Sequence, residues 1–211
     1  MFDVEYKGAN AVVFTTKNTR VVFDPALSLV GLKDVTGAQD VQVVTEERFA
    51  VKNTTNLTFD GPGEYEVGDI SLKGLPAQRH IDADNDVKNA TIYRLAIGDV
   101  RCAVLGNIAP KLSDEQLEGL GVVDIVVVPV GGHGYTLDAT AAATVVRQLE
   151  PKVVIPVHYA DVALQYEVPQ DELSVFVSEM GAAEIEAGHK WKVKNAASLP
   201  EQLSIVKITR S

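Results

Sequence analysis

Short runs of β-branched and aromatic residues, each broken by turn formers, dominate the first half of the chain. FDVEYKG (2–8), AVVFTT (11–16) and RVVFD (20–24) are divided by Gly8-Ala9-Asn10 and Lys17-Asn18-Thr19, which predicts a meander of strands. AQDVQVVTEE (38–47) adds a further strand. FDGPGEYEVGDISLKGL (59–75) alternates glycines with apolar residues, as tight hairpins near a sheet edge do. Helical signal is scarce before residue 111.

The second half opens on another hairpin, ATIYRLAIGDVRCAVLGN (90–107), with its turn at Gly98-Asp99. From there helices alternate with strands. Ser113 is an N-cap candidate for SDEQLEGL, whose first turn carries acids, and Asp138 is one for the alanine-rich DATAAATVVRQLE. The strands VVDIVVVPV (122–130) and KVVIPV (152–157) are continuously apolar, the signature of strands buried on both faces. With the helix between them they form a right-handed βαβ crossover with parallel strands. A helix around QDELSVFVSEM and strands at AAEIEA, HKWKV and LSIVKIT complete the chain. No linker or low-complexity segment divides it. The expectation is one domain over 1–211, with halves at about 1–88 and 89–211, of α/β or α+β class with two sheets.

Composition narrows the function classes. A chain of 211 residues at 46% hydrophobic can bury a sizeable core. MFDVEYKG has no basic region leading into an apolar stretch, and no apolar run reaches the ~18 residues of a membrane span, so a cytoplasmic location with no membrane partner is expected. Cys102 is the single cysteine, which removes an internal disulfide and a thiolate zinc site. The net charge of -10 argues against a nucleic-acid partner, because phosphate binding needs a basic stripe. A small molecule or a protein is the expected partner.

Ligands of parallel sheets gather beyond the carboxyl ends of the strands, and both crossover strands deliver polar residues there: Gly131-Gly132-His133-Gly134-Tyr135 after one, His158-Tyr159 after the other. His158 and His133 are therefore the candidate catalytic residues. A lone histidine at such a place is as often a half-buried structural residue, but two at adjacent strand ends shift the balance.

The order Asp24-Pro25, VVT (43–45), GPGEYEV (61–67), Gly106-Asn107, VVPVGG (127–132) and VVIPVHY (153–159) resembles the metallo-β-lactamase superfamily, closest to the branch of small, UlaG-like zinc-dependent hydrolases. The resemblance extends to about residue 161. It implies an αββα sandwich, two mixed sheets flanked by helices, with the active site at one edge between them. It also implies ligands that this chain lacks. The family's His-x-His-x-Asp-His loop follows the strand that reads VVT here, and the aligned positions hold Arg48, Ala50, Lys52 and Asn53. No histidine occurs in 41–75. Asn107 stands where a bridging aspartate is usual, and Gly8-Ala9 where Gly-His is common. His158 matches the family's last ligand and His80 lies within a residue of the middle one, although RHIDADNDVKN also reads as a solvated loop. His189, Glu64, Asp24, Glu46 and Glu47 read as structural or solvated.

Three readings follow. The first keeps the fold as a pseudo-enzyme with a degenerate metal site and no cofactor, binding a small molecule or a protein partner in a cleft lined by Arg48, Lys52, Asn53 and Asn107. A full structural zinc site is worth about 10–16 kcal/mol only with its complete ligand set. The second is a metal-dependent or metal-free hydrolase with a reorganised site, in which His80, His133 and His158 hold zinc or act as base. In the third, Arg48, Lys52 and the GGHGYT amides form a pocket for an anionic metabolite. The convergence of His158, Asn107 and 48–53 on one cleft, with His133 on its rim, is the geometry these readings require.

Overall fold

The structure, a computed structural model, describes residues 1–52, 57–82 and 88–211. Fourteen strands and three α-helices are present among them. The first sheet comprises β1 (Phe2–Gly8), β2 (Ala11–Thr15), β3 (Arg20–Phe23), β4 (Val41–Val43) and β5 (Thr58–Phe59). The second comprises β6 (Gly63–Val67), β7 (Ile70–Ala77), β8 (Ala90–Ile97), β9 (Val100–Val104), β10 (Ile125–Pro129), β11 (Val153–Val157), β12 (Ala183–Glu186) and β14 (Ser204–Lys207). β13 (Trp191–Val193) returns to the first sheet beside β1. Spatial order is β13-β1-β2-β3-β4-β5 in one and β12-β14-β11-β10-β9-β8-β7-β6 in the other.

Both sheets are mixed. β1, β2 and β3 run antiparallel, and β3, β4 and β5 parallel. β6 to β9 form a meander, and β9, β10, β11, β14 and β12 are parallel neighbours. The crossover lies where the apolar runs placed it: β10 and β11 pair in parallel from Ile125↔Val153 to Pro129↔Val157.

Alternate residues of these strands serve two cores. Ile125, Val127, Val153 and Ile155 face Phe14, Phe23 and Tyr93 between the sheets. Val126, Val128 and Val154 face outward onto helices α1 (Asp114–Leu120), α2 (Ala139–Leu149) and α3 (Leu173–Met180). The outer face of the first sheet carries the 3-10 turn Leu27–Val30 instead of an α-helix, in keeping with the lack of helical periodicity before residue 111.

Both cap candidates cap. Ser113 Oγ accepts from the Gln116 backbone N–H and Gln116 Oε1 accepts from the Ser113 backbone N–H, a reciprocal box. Asp138 Oδ1 accepts from the Ala141 amide at 2.8 Å. Asp138→Ala should cost about 1 kcal/mol of unfolding free energy in urea titration, since α2 covers the crossover. An unchanged midpoint would mean that packing alone fixes the start of α2.

Candidate functional site

Six chain segments end at one edge between the sheets: the β1–β2 turn (Ala9, Asn10), the end of β3 (Asp24), the segment after β4 (Thr45 to Phe49), the end of β9 (Gly106, Asn107), the loop after β10 (131–136) and the end of β11 (His158). Backbone bonds stitch them together. His158 N–H donates to Ala9 C=O at 2.9 Å, and Thr91 N–H to Thr45 C=O at 2.8 Å, each joining one sheet to the other. Two glycines permit the close approach. Gly106 has φ +65, and a Cβ there would lie 2.6 Å from Thr45 Cβ, while a Cβ on Gly131 would collide with the His158 carbonyl and Gln170 Oε1.

Backbone strain concentrates at the same edge. Among the described residues, the non-glycine residues with left-handed φ are Ala9, Asp24, His133, Glu150 and His158. Ala9, Asp24 and His158 line one cavity of about 60 Å³. Such outliers persist only where surrounding contacts hold them, and they cluster at functional sites.

The cavity contains a neutral imidazole. His158 is 3% exposed, with Nδ1 3.0 Å from Gln170 Oε1 and its ring between Tyr135 (5.3 Å, stacked) and Tyr166 (4.8 Å). Burial pushes its pKa down to about 4, helped by the Arg48 charge and opposed by Gln170. Asp24, equally buried, accepts from Thr45 N–H and Thr45 Oγ1–H at 2.7 Å each. Burial nonetheless pushes its pKa up to about 7, the two Thr45 bonds opposing and the Glu46 charge adding.

Arg48 turns inward. Its Nε lies 2.9 Å from Glu46 Oε2, its Nη2 donates to Glu46 Oε1 at 3.4 Å and also to Tyr135 Oη, and its Nη1 is 3.7 Å from Glu167. The guanidinium lies over the Phe49 and Tyr135 rings. Glu46, expected to be a solvated loop charge, is 3% exposed. The chain stays extended past β4 (Glu46 φ −139, ψ 142), so Glu46 turns inward toward Asn107 Nδ2 (3.2 Å) and Arg79 (3.5 Å) while Glu47 remains exposed.

Of the remaining sequence candidates, Asn107 stays at this edge, while Lys52, His133 and His80 do not line the His158 cavity. Lys52 is exposed and lines a second, open cavity of about 520 Å³ with Arg48, Arg79 and Lys88. Asn107 is buried beneath Glu46, and its carbonyl accepts from the His80 amide at 2.8 Å. Asn53 lies outside the described residues. His133 is exposed and 3.0 Å from Asp171. His80 is half-buried in a 3-10 turn rather than solvated, with its pKa lowered by burial against the opposing charge of Asp138. Sequence reasoning missed Glu46, Asn10, Tyr166, Glu167 and Gln170. Tyr166 and Gln170 follow His158 within a dozen positions, which is the one signal that could have flagged them.

These side chains do not fit a zinc ion. Among the described residues no three His, Cys, Asp or Glu side chains gather as ligands, so the set His80, His133 and His158 is not assembled. His133 belongs to an exposed loop beside Asp171, and a guanidinium neutralises Glu46. No helix among the described residues is long and apolar enough to cross a membrane.

Two mixed sheets packed face to face, with a polar cleft at one edge where the strand ends meet, define the metallo-β-lactamase type of fold. The family described as "Beta-lactamase superfamily domain" matches residues 3–158, and the chain belongs to it. A protein of Thermococcus onnurineus called a UPF0173 metal-dependent hydrolase is 30% identical over 128 residues, 59% of this chain and 57% of its own length. The chain thus spans little more than half of that relative in the match. A solved structure from Thermotoga maritima, described as a putative Zn-dependent hydrolase of the metallo-β-lactamase superfamily, superposes with TM-score 0.77 at 20% identity over 99% of this chain and 100% of that one. The isothiocyanate hydrolase from Delia radicum gut bacteria gives 0.59 at 11% identity over 83% and 90%. At these identities the structures establish the fold.

Proposed function

We propose that this chain is a non-hydrolytic member of its superfamily, a pseudo-enzyme whose former metal edge binds a small molecule. The observation that carries the reading is the Arg48–Glu46 pair, 2.9 Å apart at the edge that also holds His158 and Asp24. A fixed guanidinium supplies the positive charge that such carboxylates would otherwise take from a metal, and it repels a further cation. Asn107, a neutral amide, donates to Glu46 and replaces the bridging carboxylate the family would use. The names of the relatives point to metal-dependent hydrolysis, and the donor set here argues against extending that activity to this chain.

Protein purified without a metal-chelating tag should contain far less than one equivalent of zinc, iron or manganese by elemental analysis. Near-stoichiometric metal that survives dialysis and disappears in His158→Ala would overturn the proposal in favour of a metal-dependent hydrolase.

A further inference from the structure

Between Val157 and Leu173 the chain forms neither strand nor helix, yet its path is fixed. The Ala160 amide donates to the Asp171 carbonyl at 2.9 Å, which brings the two ends together and makes residues 160–171 an Ω-loop, a compact surface loop of about 6–16 residues. Internal bonds hold its shape. The Leu164 amide donates to the Asp161 carbonyl, the Tyr166 hydroxyl to the Tyr159 carbonyl and Gln170 Nε2 to the Val168 carbonyl, each at 3.0 Å. Tyr166, Glu167, Val168 and Gln170 of this loop form one side of the His158 cavity.

The neck of the loop and its tip are attached very unequally. At the neck, the Asp171 amide donates to the Gly131 carbonyl at 2.8 Å, Asp171 Oδ1 lies 3.0 Å from His133 Nε2, Gln170 Oε1 lies 3.0 Å from His158 Nδ1, and Arg210 Nε donates to Asp161 Oδ2 at 2.6 Å. The tip has one backbone bond, from the Gln165 amide to the Val30 carbonyl at 2.9 Å, and one ion pair, Arg48 Nη1 to Glu167 at 3.7 Å. The Glu167 side chain is 68% exposed, so that pair is weak and screened by salt. Tyr166 is half-buried, and Leu164 is the one buried residue of the loop. β11, which leads into it, is buried at every position and paired on both sides. Segments with few buried apolar contacts open at a lower free energy than the whole molecule. The tip is such a segment, and the neck is its fixed end.

The cavity requires a moving wall. Asp24, Leu27, Phe49 and His158 around it are all buried, and its volume is about 60 Å³. We propose that residues 160–171 are a lid, hinged at the neck and latched at the tip by the Arg48–Glu167 pair and the Gln165–Val30 bond, whose opening admits a small molecule to the His158 cavity. Arg48 then serves twice, holding Glu46 on one side and the lid on the other. The lid takes its purpose from the small-molecule reading above, but its motion is tested without a ligand.

Native-state hydrogen exchange of the full chain, followed by NMR, distinguishes tip from neck. The Gln165 amide should have a protection factor at least tenfold lower than the Ala160 and Asp171 amides and than the His158 amide, which bonds to Ala9. Glu167→Gln, a change at an exposed side chain, should lower Gln165 protection by a further two- to fivefold or so and leave the neck unchanged. About 0.5 M sodium chloride should do the same to the wild type and add nothing to the variant. A thiol placed in the cavity wall by Ala26→Cys gives a second readout, with Cys102, which is 0% exposed, as the internal standard for global unfolding. Iodoacetamide should alkylate the introduced thiol about a hundredfold faster than Cys102, and faster still in combination with Glu167→Gln. Equal protection of Gln165, Ala160 and Asp171 would overturn the proposal, as would equal alkylation of the two thiols or indifference to Glu167→Gln. A loop that stays shut in a metal-poor protein would sink the lid and leave the pseudo-enzyme reading standing, whereas an opening loop in a protein with stoichiometric metal would keep the lid and sink that reading.

Discussion

Arg48→Ala is expected to destabilise the protein by about 2–3 kcal/mol, and most of that loss should vanish in the Arg48→Met, Glu46→Gln double variant. Removing one member of a buried ion pair leaves an uncompensated charge, which typically costs about 3–5 kcal/mol. Two features reduce the figure here. The Arg48 side chain is 30% exposed, and Arg79 still lies 3.5 Å from Glu46 after the change. The aromatic faces of Phe49 and Tyr135 lose their cation as well, a smaller contribution of about 0.5–1 kcal/mol. A urea double-mutant cycle over Arg48→Met, Glu46→Gln and their combination separates the charge coupling from the packing. Additive changes would mean that Glu46 is served by Arg79 and Asn107 alone, and that Arg48 does not hold the edge together.

The parts of the fold that were legible share one physical property: their neighbours in sequence are also their neighbours in space. IVVVP (125–129) and VVIPV (153–157) are apolar at every position because both faces of the strands are covered, and only a crossover helix of the intervening length can join them in parallel. Ser113 and Asp138 cap because their oxygens need reach only three residues onward. Gly98-Asp99 turns because Gly98 takes φ +61.

The candidate site is different, because its residues meet through strand ends far apart in the chain. His158 was found because it closes an apolar strand. Glu46 was misread because its environment comes from Asn107 and Arg79, 61 and 33 positions away, and nothing local distinguishes it from Glu47. Asn10 read as turn material, which it also is. That its amide has no partner depends on what the segments after β3, β10 and β11 place around it, and no short-range pattern encodes that. Gln170 likewise sits in a polar loop whose path is fixed by the Ala160 amide to the Asp171 carbonyl and the Asp171 amide to the Gly131 carbonyl.

Asp24→Asn is expected to remove a pH dependence that the wild-type protein carries between about pH 4 and pH 7. In the folded protein the Asp24 carboxyl, raised by burial, keeps its proton up to about pH 7, whereas in the unfolded chain it releases it near the ordinary aspartate value of about 4. Over that interval the folded state binds more protons than the unfolded one, so this group makes stability fall as pH rises. The asparagine has no proton to lose. It can also satisfy the same partners, with its oxygen accepting from Thr45 N–H and its amide donating to Thr45 Oγ1, both now bound to Asp24 at 2.7 Å. The variant should therefore match the wild type near pH 4 and exceed it by roughly 2–4 kcal/mol near pH 8, an upper range because relaxation around the buried charge reduces it. Urea midpoints across that range, read as the difference between variant and wild type, cancel the contributions of the other carboxylates. A flat difference would place the Asp24 pKa close to the unfolded value, and a variant weaker at pH 8 than at pH 4 relative to wild type would mean that the ionised carboxylate, held by Thr45 and facing Arg48, is the stabilising form.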